Sequence, residues 1–277
     1  MAKGIGLIGN FKGKVGNMVG YKLSDSNSGN SQGIRVYQPI VKNPKTSAQA
    51  EQRAKLTPIN ATYRALKMVI DRGNEGLPYG NKSRLAWLKG AFKAEGMPWI
   101  VKGQKITGPV LCSVSKGSLP NLTFAAREDD LAITCMGVTP ESSVATIGAV
   151  STLLKAAYPW LKDGDQITIV ACGEVDGALN ADVQSFIIDE TSAVETTLFT
   201  AGSSLLTIEF GFSAPGYAVI VSREGANGEH LRSNTSLKMY SGYAAAAPYD
   251  DTSKEAAIES YMNSASANSD WAEESIQ

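Results

Sequence analysis

The sequence predicts an α+β protein, in which a basic N-terminal β-ribbon and two helices precede a β-rich body that is sandwich- or barrel-like. The chain begins with a glycine- and lysine-rich stretch whose short apolar runs flank a polar loop. Apolar residues then recur at helical spacing behind a helix-capping signal. From residue 106 onwards, short β-branched and aromatic runs alternate with turn residues, which is typical of a compact sandwich or barrel.

The ribbon is predicted from two short stretches, NMVGYKL and GIRVYQPI, which contain β-branched and aromatic residues. Between them, residues 24–33 are all Ser, Asn, Asp, Gly or Gln, which is a loop composition. The two stretches are therefore expected to form the arms of a hairpin around this loop. Pro39 and Pro44 forbid a long central strand and confine the ribbon to a sheet edge or an extended arm.

The opening GNFKGKVGNMVG, at residues 9–20, suits three roles: a catalytic phosphate loop, a basic arm or a plain hairpin. A phosphate loop needs the pattern GxxxxGK[ST] between a strand and a helix. Here Gly13 follows Gly9 by four residues rather than five, and Val15 replaces the hydroxyl residue that binds magnesium. The catalytic loop is therefore excluded, whereas the arm and the hairpin are compatible with each other.

As half of a ribbon, this opening is expected to be anchored by three apolar residues, Val15, Met18 and Val19. Lys12 and Lys14 are then expected to face outward. The glycines at positions 9, 13, 16 and 20 are expected to provide positive φ angles or a close backbone approach.

Two helices are predicted after the ribbon. Thr46 and Gln49 fit the capping box that starts a helix, and small apolar residues recur at helical spacing behind them. Gly73 is expected to end this helix, and Pro58 is expected to kink or split it. The second helix is predicted over residues 83–93. Both helices combine an apolar face with a basic face, which is either solvated or contacts a partner.

The body and the tail complete the expected organisation. Residues 144–161 are expected to form a buried helix, or a strand followed by a helix. The Ala-, Ser- and acid-rich tail includes one predicted helix, over residues 253–262. The expected regions are 1–105 (basic ribbon and helices), 106–241 (β-rich domain) and 242–277 (acidic, partly helical or flexible tail). The predicted strands of the body are 106–114, 121–127, 130–136, 165–172, 183–189, 204–211, 217–223 and 235–241.

The charge of the chain is divided between its two parts, although the net charge is only −1. Residues 1–110 contain 18 Lys and Arg against 5 Asp and Glu, whereas residues 111–277 contain 8 against 22. Such asymmetry indicates nucleic acid or another polyanion as a partner of the basic part. The alternative is that two oppositely charged faces meet within the fold or between subunits.

A nucleic-acid site that does not depend on sequence is therefore predicted on the basic part. Lysines and arginines of a ribbon contact phosphates, and glycines let the backbone approach them closely. A tyrosine near a strand arm is expected to stack on bases or to pack on the body. The predicted contact residues are Lys12, Lys14, Lys22, Arg35, Tyr37, Lys42, Lys45, Arg53 and Lys55.

No catalytic residue, metal site or cofactor is predicted. The three cysteines, Cys112, Cys135 and Cys172, are widely separated and are expected to be free and buried. The single histidine, His230, lies in a Gly- and Asn-rich turn and is expected to be solvated. The acidic stretches REDD and KDGDQ are expected to be surface turns rather than catalytic or calcium-binding groups. No apolar run has the length of a membrane span or a secretory signal, so no membrane contact is expected.

Two stretches resemble a known protein family. GLIGNFKGKVGNMVGYKL, followed by IRVYQPIVKNPKTSAQAEQRAKL, resembles the N-terminal signature of an uncharacterised family widespread in gut Bacteroidetes and their phages. YAVIVSREGANGEHLRSNTSLKMY resembles the closing pattern of that family, whereas the middle of the chain resembles it only weakly. The resemblance implies a bacterial or viral, non-secreted and non-catalytic protein, and it implies no site residues. The matching residues are Gly13, Lys14, Gly16, Asn17, Arg35, Pro39, Asn43, Pro44, Thr46, Gln49, Gln52 and Arg53.

These observations predict a non-catalytic, phage-associated protein that is a structural component of the virion or is bound to the genome. Its expected partners are nucleic acid, other virion proteins or further copies of itself, as a homo-oligomer. The expected location is the host cytoplasm or the virion. An enzyme acting on nucleic acid or a polysaccharide is the alternative.

Overall fold

The computed structural model describes residues 13–22, 32–37, 46–126, 130–134, 146–195, 200–202, 205–210, 216–226, 228–240 and 249–263. The described residues form both helices and open sheets, so the α+β class is confirmed. The chain divides into two compact units, Met1–Lys45 with Ala265–Gln277, and Thr46–Ser264. None of the described helices is long and apolar enough to cross a membrane.

The first unit contains a three-stranded antiparallel ribbon of β1 (Gly13–Val15), β2 (Met18–Lys22) and β3 (Gln32–Val36), in that order. β2 and β3 are the two predicted arms, and they pair along their full length. β1 joins β2 through a tight turn. Gly13 and Gly16 have φ angles of +122° and +56°, which favour glycine. The predicted hairpin is therefore confirmed, as is the positive φ expected at these two glycines.

The helices of the second unit begin with a capped helix that contains a proline. Thr46 caps α1, because its Oγ1 accepts a hydrogen bond from the N–H of Gln49 at 3.3 Å. Pro58 does not split α1, which continues through it to Ala65. Pro58 is buried, and packing of the helix against the core outweighs the lost N–H donor. The helices are α1 (Ser47–Ala65), α2 (Lys67–Ile70), α3 (Asn81–Ala91), α4 (Ile147–Ala157) and α5 (Asp251–Asn263).

Three of these helices lie in the other segments where a helix was considered from the sequence. α3 occupies the segment 83–93, and α5 includes the tail helix expected at 253–262. The ambiguous segment 144–161 forms the helix α4, which Thr146 caps by accepting from the N–H of Ala149 at 3.3 Å. The helices predicted at 83–93 and 253–262 are therefore confirmed, and of the two alternatives for 144–161 the described residues show a helix.

The strands of the second unit form antiparallel pairs in two main sheets and one small sheet. The central sheet has the order β12-β11-β7-β8, and β14 also pairs with β11. The second sheet has the order β5-β6-β10-β9, and β4 pairs with β13. The strands are β4 (Ser113–Ser115), β5 (Phe124–Ala126), β6 (Asp130–Thr134), β7 (Gln166–Val175), β8 (Ala178–Ile187), β9 (Thr200–Gly202), β10 (Leu205–Glu209), β11 (Gly216–Glu224), β12 (His230–Arg232), β13 (Thr235–Ser236) and β14 (Lys238–Met239).

The central sheet is buried on both faces. In β7, Ile167 and Ile169 belong to a cluster shared with α4 and the second sheet. Val170 and Cys172 belong to a cluster shared with α1, α2, α3 and α5. Because successive side chains point to opposite faces, a nearly continuous apolar run is needed for a strand covered on both sides. The helices before residue 105 therefore share a core with the body.

Two strand predictions differ from the structure for identifiable reasons. Residues 106–112 were expected in a strand, but only β4 forms. Pro109 lacks an N–H, and the N–H of Val110 donates instead to Thr62 Oγ1 of α1 at 2.9 Å. Strands are predicted at 165–172 and 183–189, with no turn between them at 176–177. In the structure, β7 and β8 are longer and meet at that turn, so they form one hairpin. Its turn is Asp176-Gly177, with φ angles of +54° and +82°, which is a strong hairpin signal in the sequence.

Candidate nucleic-acid interface

One face of the ribbon carries three of the predicted contact residues, Lys14, Arg35 and Tyr37. The register places Lys14 opposite Val19 and Val19 opposite Arg35, so these three residues form one row across the strands. Residues that face each other across a sheet point to the same side. Lys14 and Arg35 are both exposed. Two cationic side chains therefore stand on one ribbon face, and their Cα atoms are about 10 Å apart across two strand spacings.

Tyr37 completes this face at the end of β3. Its N–H donates to the carbonyl oxygen of Asn17 at 2.6 Å, which fixes its backbone beside the turn. Lys14 Nζ lies 3.6 Å from the centroid of the Tyr37 ring. This is a cation–π contact, and it holds the ammonium group against the ring. The structure thus brings together Lys14, Arg35 and Tyr37, which we call the basic face of the ribbon.

The opposite face of the ribbon is apolar and exposed. The register aligns Val15, Met18 and Val36 in one row, and Ile34 lies in the next row. Their exposed fractions are 56% for Val15, 40% for Met18, 52% for Ile34 and 71% for Val36. The expectation that Val15 and Met18 anchor the ribbon by burial is therefore wrong. Among the described residues of the first unit, the three strands form a single layer, and none of these residues forms a second layer over this face.

The other predicted contact residues do not join this face in the described structure. Lys12, Lys42 and Lys45 lie outside the described residues, and only the backbone of Lys22 is described. Arg53 and Lys55 belong to α1 of the second unit.

Lys55 is already paired with an acidic residue. Its Nζ lies 2.9 Å from Glu51 Oε1, one turn earlier on α1, and 5.9 Å from the ring centroid of Trp99. The hydrogen bond from Lys55 lowers the pKa of Glu51 below its ordinary value. Lys254 of α5 lies 3.7 Å from the same carboxylate. A phosphate would therefore have to compete with Glu51 for the Lys55 ammonium group.

The second unit presents a basic and aromatic cluster that the sequence did not reveal. Arg72 Cζ lies 5.7 Å from the ring centroid of Tyr79, and the Tyr79 and His230 rings are 5.6 Å apart. All three side chains are exposed, as was expected for His230. Glu224 lies opposite His230 in the register, and Glu229 precedes it, so acidic groups partly offset the positive charge. Tyr79 and His230 are too far apart in the sequence for any local pattern to have shown their contact.

The two described cysteines have no nucleophilic character. Cys112 and Cys172 are free and buried, and desolvation raises the pKa of each thiol to about 12. Both remain protonated near neutral pH, and the thiolate is the reactive form. Cys135 lies outside the described residues. Within the described ranges, no group of three His, Cys, Asp or Glu side chains could hold a metal ion.

Among the described ion pairs, the most buried one joins Arg223 to Asp165 and has a structural role. Arg223 donates from Nε to one oxygen of Asp165 at 2.6 Å and from a terminal nitrogen to the other at 2.7 Å. The N–H of Lys162 donates to Asp165 at 2.9 Å, and Arg223 also donates to the carbonyl of Trp160 at 2.9 Å. The hydrogen bonds with Asp165 raise the pKa of Arg223. With its donors and acceptors used in this way, the pair clamps β11 to the loop before β7.

A second carboxylate joins distant segments. Glu75 accepts hydrogen bonds from the N–H and the hydroxyl of Ser118, both at 2.9 Å, and from the N–H of Arg232 at 3.0 Å. Burial acts to raise the pKa of Glu75, but these hydrogen bonds outweigh it and leave the pKa lowered. This carboxylate is held ionised as a structural link rather than poised for proton transfer.

Known proteins do not assign a role to any of these residues. No family model, no curated protein and no solved structure matches the chain.

Proposed function

We propose that this protein is a non-catalytic, phage-associated protein, built into the virion or bound to the genome, and that its basic ribbon contacts nucleic acid or a neighbouring subunit. The observation that carries the proposal is the basic face, where Lys14, Arg35 and Tyr37 stand together and exposed. The phage setting, and with it the host cytoplasm or virion, rests on the resemblance of the N-terminal signature. A sandwich-like body is part of the proposal, supported by the two open sheets that share a core.

The chemistry of the basic face suits phosphates better than base edges. Lysine and arginine neutralise phosphates without regard to sequence, and release of counterions drives such binding. The contact between Lys14 and Tyr37 keeps a cation and an aromatic ring at one point of the ribbon. Such a ribbon gives sequence-independent binding that weakens steeply with salt.

A salt titration tests the proposal directly. Binding of the full chain to two duplexes of equal length and unrelated sequence is followed by fluorescence anisotropy over a range of salt concentrations. The two duplexes should bind with equal affinity, and log K should fall linearly with log salt. A variant with Lys14→Gln and Arg35→Gln should lower the magnitude of that slope by about 2, since each phosphate contact contributes about 0.9.

The matched control carries Arg64→Gln and Lys67→Gln, which remove two exposed cations from the second unit. This control should leave the slope unchanged. Equal losses in both variants would indicate diffuse attraction by the whole basic part and would contradict a ribbon site. If duplexes do not bind, sedimentation over the same salt series shows whether the ribbon variant weakens self-association instead, and no effect in either assay rejects the proposal.

Turnover separates this proposal from its alternative. The purified chain is incubated with nucleic acid and with polysaccharides. Turnover that a single carboxylate substitution abolishes would establish an enzyme and overturn the non-catalytic proposal.

A further inference from the structure

In the part of the chain that the structure describes, the central sheet has one long open edge. β8 ends the strand order β12-β11-β7-β8, and it pairs with β7 over ten consecutive residues without a register shift. Among the described strands, none lies beyond β8. By contrast, β12 at the opposite end of this sheet, and β5 and β9 at the edges of the second sheet, have three residues each. Natural proteins usually keep edge strands short, so β8 is the exception in this fold.

The composition of β8 offers little protection against pairing. Its sequence, ALNADVQSFI, contains no lysine, proline or glycine. Its single charged residue, Asp182, accepts a hydrogen bond from Gln184 Nε2 at 3.0 Å. Val183 and Ile187 are 39% and 55% exposed. Apart from Asp182, the edge therefore lacks the charges, prolines and bulges that normally prevent contact between sheets.

The unpaired backbone groups of this edge can be identified. The N–H of Ile188 donates to the carbonyl of Asp165 at 2.7 Å, and the N–H of Gly164 donates to the carbonyl of Ile188 at 2.8 Å. Residue 188 therefore directs its backbone groups towards β7. Because this direction alternates along an antiparallel strand, the odd-numbered residues of β8 direct theirs to the open edge. They are Leu179, Ala181, Val183, Ser185 and Ile187.

We propose that β8 pairs with β8 of a second copy of this chain, antiparallel about a two-fold axis at Val183. The two central sheets then form one continuous sheet. In this register Val183 lies opposite Val183 of the other copy, Ala181 opposite Ser185, and Leu179 opposite Ile187. All five outward residues then exchange backbone hydrogen bonds, about ten in total.

The register is self-complementary in its side chains as well. The exposed Val183 and Ile187 meet apolar residues of the other copy. Asp182 lies opposite Gln184, whose amide has two N–H donors and uses one for the Asp182 of its own chain. The two Asp182 carboxylates are diagonal neighbours, about 7–8 Å apart, rather than directly opposite. A strand that is complementary to itself favours a closed dimer over an open chain. The inference goes beyond the proposed function and does not depend on nucleic-acid binding.

Sedimentation equilibrium of the full chain tests this dimer. The wild-type chain should have twice the mass of a single chain at high concentration. Val183→Lys places two ammonium groups at the two-fold axis and should give a monomer. Val194→Lys is the matched control, since Val194 lies outside β8 and is 60% exposed, and this variant should remain a dimer. Circular dichroism confirms that Val183→Lys is folded.

Hydrogen exchange provides a measurement that needs no variant. In the wild-type chain, the amides of residues 179, 181, 183, 185 and 187 should exchange more slowly as the concentration rises. The even-numbered amides of β8 bond to β7 and should be protected at every concentration. A wild-type chain that stays monomeric at its highest soluble concentration would overturn the proposal. So would a Val183→Lys dimer, open-ended assembly, or outward amides whose exchange does not depend on concentration.

Discussion

Removal of the Asp165 carboxylate should be the most damaging single change of charge in the second unit. Asp165 is 1% exposed and Arg223 is 19% exposed, and three hydrogen bonds reach the carboxylate. Asp165→Ala leaves the guanidinium group without its counterion and the N–H of Lys162 without its acceptor. Breaking a buried ion pair in this way costs about 3–5 kcal/mol. We expect the lower end, about 3 kcal/mol, because Arg223 retains some access to water and its bond to Trp160.

The same loop offers a matched control. Asp163 also carries an ion pair, with Lys155 Nζ at 3.2 Å, but its side chain is 60% exposed. Lys155 keeps a second partner, Glu190, at 2.7 Å. Asp163→Ala should therefore cost less than about 1 kcal/mol. Both variants remove an aspartate from one turn, so only burial and hydrogen bonding distinguish them.

Urea denaturation followed by circular dichroism measures both free energies of unfolding. The double variant Asp165→Ala with Arg223→Met should be less destabilised than the sum of its single variants, because no unpaired guanidinium remains. Equal effects of Asp165→Ala and Asp163→Ala would refute the reasoning. So would strict additivity in the double variant.

Two further predictions concern the ribbon and pH. Gly16→Val should accelerate hydrogen exchange at the Tyr37 amide, because a φ of +56° is strongly disfavoured for a β-branched residue. Gly16→Asn should preserve the protection of this amide, since asparagine tolerates that φ. Equal protection in both variants would contradict the need for a positive φ at this turn. The lowered pKa of Glu75 means that its contribution to stability is present above its ordinary pKa of 4.5 and is lost as the pH falls through the lower, folded value. Glu75→Gln should therefore reduce the loss of stability that the wild-type chain shows as the pH falls, measured by thermal melts from pH 6 to about pH 3. The control Glu255→Gln, at an exposed position of α5, should leave this pH dependence unchanged.

Local signals predicted the elements whose formation depends on local chemistry. Thr46 and Gln49 marked the start of α1, and the polar loop marked the hairpin of β2 and β3. The split expected at Pro58 does not occur, because the cost of the proline is local whereas the packing that outweighs it is tertiary. The dipeptide Asp176-Gly177 is a strong hairpin signal in the sequence, and it is sufficient to predict that β7 and β8 are the two arms of one hairpin.

The site was predictable only within one strand pair. Alternation along β2 and β3 places Arg35 on the same face as Val19, but Lys14 lies on β1 and joins this face only through the β1–β2 pairing, which the predicted hairpin did not include. The exposure of the apolar face could not be predicted, since burial depends on whether a second layer exists. The contact of Tyr79 with His230 joins the segment before α3 to β12, and no spacing in the sequence encodes that contact.

The β8 dimer and the ribbon have consequences for each other. Under the proposed function, a basic face with two described cations is expected to give only weak, salt-sensitive attraction to phosphates. A two-fold dimer carries two such faces, and once one is bound, the other meets the same polyanion at a raised effective concentration. Two weak ribbons can then hold a long duplex without any sequence-specific contact. The acidic character of residues 111–277 acts in the opposite sense, because it repels phosphates and confines contact to the basic part. If both proposals hold, avidity from pairing through β8, rather than a tight site in one chain, supplies the affinity for a polyanion.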